Sequence, residues 1–323
     1  MTSTTLPSLL SAKPSTQRTQ TAAPESMWRF LSSPTPVSLG EGNTPLLPLT
    51  ATILLKDEGR NPGASMLDRI ASILVTTAKA GGHKHLNFST QSDTLAAALA
   101  VYAANAGLHC SITLSAEASD LDYLRAAAAG ATLLTPNPHT PVKATLSTEE
   151  ITLATHLATH TIACEIAEQL QWKLPETLLI PAATPADLLH FEQSFDFLLQ
   201  HNWTTSTHTP RCLAVHIAPA PHTRGHAPAR IAAQALKQLS DQVILLEEDR
   251  AREALQRMAR SGWMLSPGAA AGIAAAETLP ANAAPIVLLE TRSAHSAAKE
   301  ISQVLGIRRY PTRTPVGGII SPQ

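Results

Sequence analysis

The side chains able to do chemistry in this chain are scattered, and most of their spacings fall short of a working device. His156 and His160 stand four apart, which on a helix puts both on one face, as metal ligands require. No glutamate follows His156 and no third ligand is evident. With 13 histidines in the chain, chance spacing explains the pair, and no metal is expected. His216, His222 and His226 surround a Pro-rich turn with Arg224, a pattern that suits a solvated loop better than an anion pocket. Asp93 and Asp187, with histidines near them, are of the type that works as acid and base in a cleft. Cys164 lies in an apolar helical run and reads as core rather than nucleophile. Asp68 stands at a helix start, where the helix dipole favours a carboxylate, and Arg69 beside it suits a salt bridge as well as a ligand contact. No serine sits in a G-x-S-x-G elbow, and no glycine-rich phosphate or dinucleotide fingerprint follows a strand.

The elements that must position such residues alternate along the chain. Short apolar runs at 52–56, 85–89, 110–114, 131–134, 178–181, 213–217, 243–246 and 286–289 read as buried strands. Between them, alanine and leucine recur at helical spacing over 68–80, 95–106, 121–129, 161–170, 186–200, 227–239, 249–261 and 269–278. Strand–helix alternation implies parallel sheets covered by helices on both faces. Eight units exceed one ordinary doubly wound sheet, so the expected fold class is α/β with two doubly wound three-layer lobes. Residues 37–70 with 160–323 are assigned to a large lobe and 71–159 to a small one. Residues 1–36, rich in Ser, Thr and Pro, read as a flexible tail in which Met27-Trp28-Arg29-Phe30-Leu31 docks onto the body. The Pro- and Thr-dense stretch 135–148 reads as a long connection.

Composition excludes several classes. With 44% hydrophobic and 15% charged residues the chain is too apolar to be disordered. A net charge of -1 without a basic cluster argues against nucleic acid. No apolar run reaches the ~18 residues of a membrane span, and no secretory signal opens the chain. Three scattered cysteines point to a reducing compartment, so a cytoplasmic protein is expected.

Several stretches in order resemble threonine synthase. Residues 38–46 read S-L-G-E-G-N-T-P-L and residues 55–62 read L-K-D-E-G-R-N-P, both close to that family's motifs. The run from Ala96 to Leu108 is family-like, as are Thr161-Ile162-Ala163 and Glu165 to Leu170 ahead of Leu179-Ile180-Pro181. Leu265-Ser266-Pro267 with Ala269-Ala270 resembles the S-P-E-G-A-A segment. The resemblance covers most of the chain, about Ser38 to Lys299. It implies a fold-type II pyridoxal-phosphate (PLP) enzyme of the tryptophan synthase beta-like architecture, with PLP in the cleft between lobes.

The positions where that family holds its cofactor are altered here. The family motif N-P-T-G-S-F-K-D-R aligns without a gap to 61–69, and the cofactor lysine is replaced by Leu67. An amine there makes the Schiff base and then moves protons, and leucine does neither. In the loop under the pyridine ring, the family's glycine and asparagine become Asp93 and Thr94. The glycine run of the phosphate cradle becomes Ala182-Ala183-Thr184-Pro185-Ala186-Asp187, where proline removes a donor and alanine resists positive φ. In the T-G-S-G segment Thr291 and Ser293 remain while both glycines are replaced. Leu67, Asp93, Thr94, Ala183, Thr184, Pro185, Ala186, Thr291 and Ser293 thus outline a degenerate former PLP site. The expected function is a pseudoenzyme, with no cofactor expected, acting by binding a small molecule in the interlobe cleft or a partner such as a second copy or an active relative. The alternative is a PLP-dependent conversion of O-phosphohomoserine to threonine and phosphate through a different amine, with Lys56 and Lys79 as the amines nearest in sequence. A third reading places new acid–base chemistry on Asp93, Asp187 and nearby histidines.

Overall fold

In chain order the described elements are β1 (Leu46–Pro48), β2 (Ile53–Asp57), α1 (Leu67–Ala80), β3 (His85–Ser89), α2 (Asp93–Asn105), β4 (His109–Thr113), α3 (Asp120–Ala128) and β5 (Thr132–Leu134). They continue with α4 (Thr148–Gln169), β6 (Thr177–Pro181), α5 (Pro185–Gln200), β7 (Arg211–Ile217), β8 (Val243–Leu246), α6 (Glu248–Arg260), α7 (Pro267–Ala276), β9 (Ile286–Glu290) and α8 (Ala298–Val304). The structure is a computed structural model that describes residues 26–33, 35–89, 92–115, 118–134, 144–218, 240–280, 285–293 and 297–306. All eight expected strands are present, and the α/β class is as expected. The helix expected at 227–239 lies outside the described residues.

Two sheets form. A six-stranded sheet has the order β1-β2-β9-β6-β7-β8, and a three-stranded sheet has the order β3-β4-β5. Every pairing is parallel except that of the short edge strand β1 with β2. The chain leaves the large sheet after β2, builds the small one, and returns at β6. The central strands β6 and β9 are buried along their whole length, as strands covered on both faces must be. Alternation divides their side chains between two cores. Leu179 and Leu288 face α6 and α7, while Leu178, Ile180, Val287 and Leu289 face α4 and α5. A third core joins α1 and α2 to the small sheet, and Met27, Leu31 and Val37 pack into it. The 3-10 turn Met27–Phe30 buries Met27 and Phe30 completely, so this segment docks as its aromatic content suggested.

Three elements differ from expectation, one being α8, whose seven residues fall in none of the expected helical runs. Helix α4 starts at Thr148, thirteen residues ahead of the expected 161, because Thr and His in its first half mask the apolar stripe. Its true signal is the capping box of Ser147 and Glu150, each side chain accepting the other's backbone N–H. Strand β1 has three residues and contains Pro48, which an edge strand tolerates but a propensity reading passes over.

Where β2, α1 and α4 meet, four buried charges neutralise one another. The Arg69 guanidinium donates from Nε and Nη2 to Glu58 (2.7 and 2.8 Å), and from Nη1 and Nη2 to Glu165 (2.8 Å each). Further bonds reach the hydroxyls of Thr161 and Thr44. Lys56 donates to the Thr44 carbonyl (2.7 Å), Glu165 (2.7 Å) and Gln169 (3.1 Å), which uses its three N–H groups. All four charged side chains are fully buried. Burial alone would raise the Glu165 carboxyl, but the Arg69 and Lys56 charges outweigh it and hold it far below the usual range. Arg69 is therefore a structural bridge. Replacing it strands two carboxylates: Arg69→Met is expected to lower stability by about 3–5 kcal/mol in urea denaturation at neutral pH.

Candidate functional site

Five strands of the large sheet run parallel, so the segments after β2, β9, β6 and β7 all emerge from one edge, where crevices of α/β sheets form. The segment from Glu58 to Met66 crosses this edge and ends in α1. Ala64 takes a left-handed φ of 62°, turning the chain. Ser65 Oγ accepts the N–H of Leu67 (3.2 Å), and Asp68 Oδ2 accepts the N–H groups of Gly63 (3.0 Å) and Ser65 (3.3 Å). Met66 N donates to the Thr291 carbonyl and Ser293 N to the Ala64 carbonyl, both at 2.9 Å. A Cβ on Gly59 would stand 2.7 Å from Ser293 N, so the glycine permits this close approach. Thr291 and Ser293 are thereby brought beside the Leu67 position. Leu67 itself is half-buried and packs against the core of α1 and α2.

The other site positions are reached from different elements. Asp93, in the first turn of α2, accepts the backbone N–H (2.7 Å) and hydroxyl (2.6 Å) of Ser115 after β4. Thr94 donates to Asp122 Oδ2 (3.2 Å). After β6 the chain turns through Ala182, whose φ is 53°, so one alanine adopts the conformation that its Cβ disfavours. The Ala183 carbonyl meets Nε2 of buried His216 at 2.9 Å. Thr184 caps α5 and Pro185 and Ala186 open its first turn. The Asp187 carboxylate accepts the Thr184 N–H (2.8 Å) and hydroxyl (2.7 Å), so the helix end is covered by its own side chain. Asp93 and Asp187 thus each have a local partner and do not pair.

The two candidate lysines point elsewhere. Lys56 is consumed by the buried network, and burial lowers its pKa against the raising pull of Glu165. Lys79 is exposed near the far end of α1, about 18 Å from Leu67 at 1.5 Å per residue. His156 and His160 do share a face of α4. His156 packs edge-on to His190, and His160 Nε2 lies 3.3 Å from Cys164 Sγ with Phe197 and Trp203 around it. Burial keeps His156 neutral, down to about 4, and raises the Cys164 thiol well above its ordinary value. Among the described residues no three ligands gather for a metal, and His222, Arg224 and His226 lie outside them.

Beside the start of α1 lies a cavity of about 220 Å³ lined by Leu39, Pro62, Gly63, Ser65, Asp68, Thr94, Ala98, Val101 and Arg125. Of its two charged groups, sequence reasoning gave Asp68 only a helix-dipole role and did not single out Arg125. For Asp68 the signal was Ser65 three residues earlier, the capping-box spacing. For Arg125, which reaches from α3 to the Gly63 carbonyl (2.6 Å), no local signal exists.

Residues 37–189 match the family model described as "Pyridoxal-phosphate dependent enzyme". The threonine synthase of Mycobacterium tuberculosis (strain ATCC 25618 / H37Rv) is 41% identical over 87 residues, 25% of this chain and 24% of that protein. The threonine synthase of Bacillus sp. (strain ULM1) is 30% identical over 178 residues, 49% of this chain and 50% of that protein. The chain therefore spans a quarter to half of the length of these curated relatives. Among solved structures it is similar to O-ureido-L-serine synthase, with a TM-score of 0.61 at 20% identity over 84% of this chain and 95% of the other. It is also similar to a hydrogen sulfide-producing enzyme from Fusobacterium nucleatum, with a TM-score of 0.57 at 20% identity over 79% and 97%. The chain has the fold of the type II PLP-dependent enzymes and threonine synthases among its homologues, as the resemblance implied. This corrects the expectation of a chain without a cofactor. The matched family is PLP-dependent, and its model runs through Leu67, Asp93, Thr94 and Thr184 rather than ending before them. Changed contacts at those positions are no measure of lost binding, because the fold that shapes the cleft is kept.

Burial pushes Asp68 up to about 7, with Glu41 adding to the rise and the Ser65 and Gly63 N–H groups and Arg125 opposing it. A carboxyl raised in the fold keeps its proton while the unfolded chain, ionising from about 4, releases its own. Stability is therefore lost as pH rises from about 4 to about 7 and is flat above. An asparagine side chain can accept the same two N–H bonds without a charge. Asp68→Asn is expected to stabilise the protein more at pH 8 than at pH 5, by on the order of 2 kcal/mol in paired urea titrations.

Proposed function

We propose that this protein is a pseudoenzyme on a threonine synthase-like scaffold, binding PLP in the interlobe cleft without covalent attachment and without turning over an amino acid. The observation that carries the reading is Leu67 at the position of the family's lysine, turned into the α1–α2 core. The residues present fit a held ligand better than a reacting one. Thr291 and Ser293 are fixed against 64–66 by backbone bonds, which holds the segment that the family sets at the ring's edge. The α5 N-terminus at Thr184–Pro185 presents a partial positive charge suited to a phosphate, although the Asp187 carboxylate must yield part of that end. PLP supplies electron-sink chemistry when joined to an amine, and Lys56 and Lys79 are both placed away from the cleft position where one is needed. The free, buried Cys110, Cys164 and Cys212 support a reducing, cytoplasmic setting, and no described helix is long and apolar enough to cross a membrane. Action through a second copy or an active relative is part of the same proposal.

The test is PLP titration with absorbance, borohydride reduction and intact mass, beside a phosphate-release assay on O-phosphohomoserine. The expected result is PLP retained on dialysis, no fixed adduct above a surface-lysine control, and no phosphate released. Leu67→Lys is expected to gain a visible band and an adduct at residue 67. A wild-type adduct mapped to one cleft lysine, with phosphate release, would overturn the reading in favour of a threonine synthase-type lyase.

A further inference from the structure

We propose that the cavity beside the start of α1 is a separate binding site for a short-chain aliphatic monocarboxylate, held between the Arg125 guanidinium and the Asp68 carboxyl. It goes beyond the cofactor reading, because the cavity shares only Thr94 with the former PLP positions and includes nothing from 182–187 or 291–293.

Size comes first. At about 220 Å³ the cavity falls below the ~300 Å³ at which drug-sized ligands begin, so it suits a few-carbon molecule. One wall is apolar, made by Leu39, Pro62, Ala98 and Val101, and takes a short alkyl chain. The opposite wall carries the recognition groups. Arg125 donates from Nη1 to the Gly63 carbonyl, which orients the guanidinium but leaves its charge unneutralised. A planar fork of this kind matches a carboxylate. Asp68 directs Oδ2 to the two backbone N–H groups, which leaves Oδ1 to donate a hydrogen bond to a ligand oxygen when protonated.

Charge decides between ligand classes. The groups facing Asp68 are Arg125 from α3, Glu41 before β1, Tyr102 from α2 and Arg69 on its own helix. Arg69 is spent on Glu58 and Glu165, and Glu41 accepts from Trp28, Ser72, Leu39 and Tyr102. Asp122, behind Thr94 on α3, accepts the Thr94 and Ser119 hydroxyls and is not itself a lining residue, so with Asp68 neutral the charge lining the cavity is that of Arg125, which attracts an anion and repels an amine. A dianion would find no second cation among the lining residues. Because Asp68 titrates at about 7, ionisation cancels the attraction on going alkaline.

The test is calorimetric titration of the full chain with sodium butyrate, using butylamine and butanol as controls. Butyrate is expected to bind at pH 6 and about tenfold more weakly at pH 8, as the protonated fraction falls from about 0.9 to about 0.1. Arg125→Gln is expected to weaken binding at least tenfold at pH 6, and Ala98→Phe, which fills the cavity while leaving both charges, to abolish it. Asp68→Asn is expected to flatten the pH dependence, with circular dichroism confirming that each variant folds. Butyrate binding no tighter than butanol or butylamine overturns the proposal. So does wild-type affinity in both Arg125→Gln and Ala98→Phe, or displacement of butyrate by PLP. A failure of PLP to bind leaves the butyrate titration unaffected, so the two proposals fail separately.

Discussion

The rest of the structure depends on the burial of Arg69 between Glu58 and Glu165. A lone charge in that position would cost several kcal/mol, so none of the four buried ions can be present without the others. Their sum is zero, and their hydrogen bonds are nearly complete, with Thr44, Asn61, Thr161 and Gln169 filling the remaining positions. Such a cluster contributes geometric definition more than net stability, since apolar packing of the same volume would serve stability as well. What it defines is the angle between β2, α1 and α4, the point from which the chain crosses the sheet edge. Loop 61–66 leaves this fixed point and is held again by Thr291 and Ser293, so the start of α1 is fixed at both ends.

That constraint explains how the family-like motifs divide. Thr44, Lys56, Glu58, Asn61, Arg69, Thr161, Glu165 and Gln169 all come from stretches that resemble threonine synthase, and every one belongs to the buried network. The positions read from sequence as altered, Leu67, Asp93, Thr94 and 182–187, lie outside that network. Each replacement has a local role of its own. Leu67 packs into a core, Asp93 ties α2 to the turn after β4, and Asp187 closes the end of α5.

Most of the fold was legible because parallel strands buried on both faces are short continuous apolar runs, which stand out against Ala-rich helices. What was not legible was long-range. The first half of α4 carries Thr and His on positions that only its neighbours show to be buried, and β1 has too few residues to declare itself. At the start of α1, the motif 61–69 located the turn and the helix that follows it. Arg125 was not legible, since its partner is the carbonyl of Gly63, 62 residues away. Lys56, on the strand ahead of the motif, is already out of place for the family's amine in sequence, and its three buried partners now account for it.

The separation of frame from chemistry bears on what a type II fold can lose. Turnover needs an amine with a free lone pair at one point in the cleft, and no amount of packing can substitute for it. Binding needs only a cleft of fixed shape with donors at its edge. On the proposed reading, leucine at residue 67 removes the first requirement and leaves the second. The apolar replacement matters in its own right. A leucine at the first position of α1 can pack into the α1–α2 core, whereas an unattached lysine there would bring a charge to a half-buried position. Once no amine is joined to the cofactor, leucine is the residue that costs the fold least.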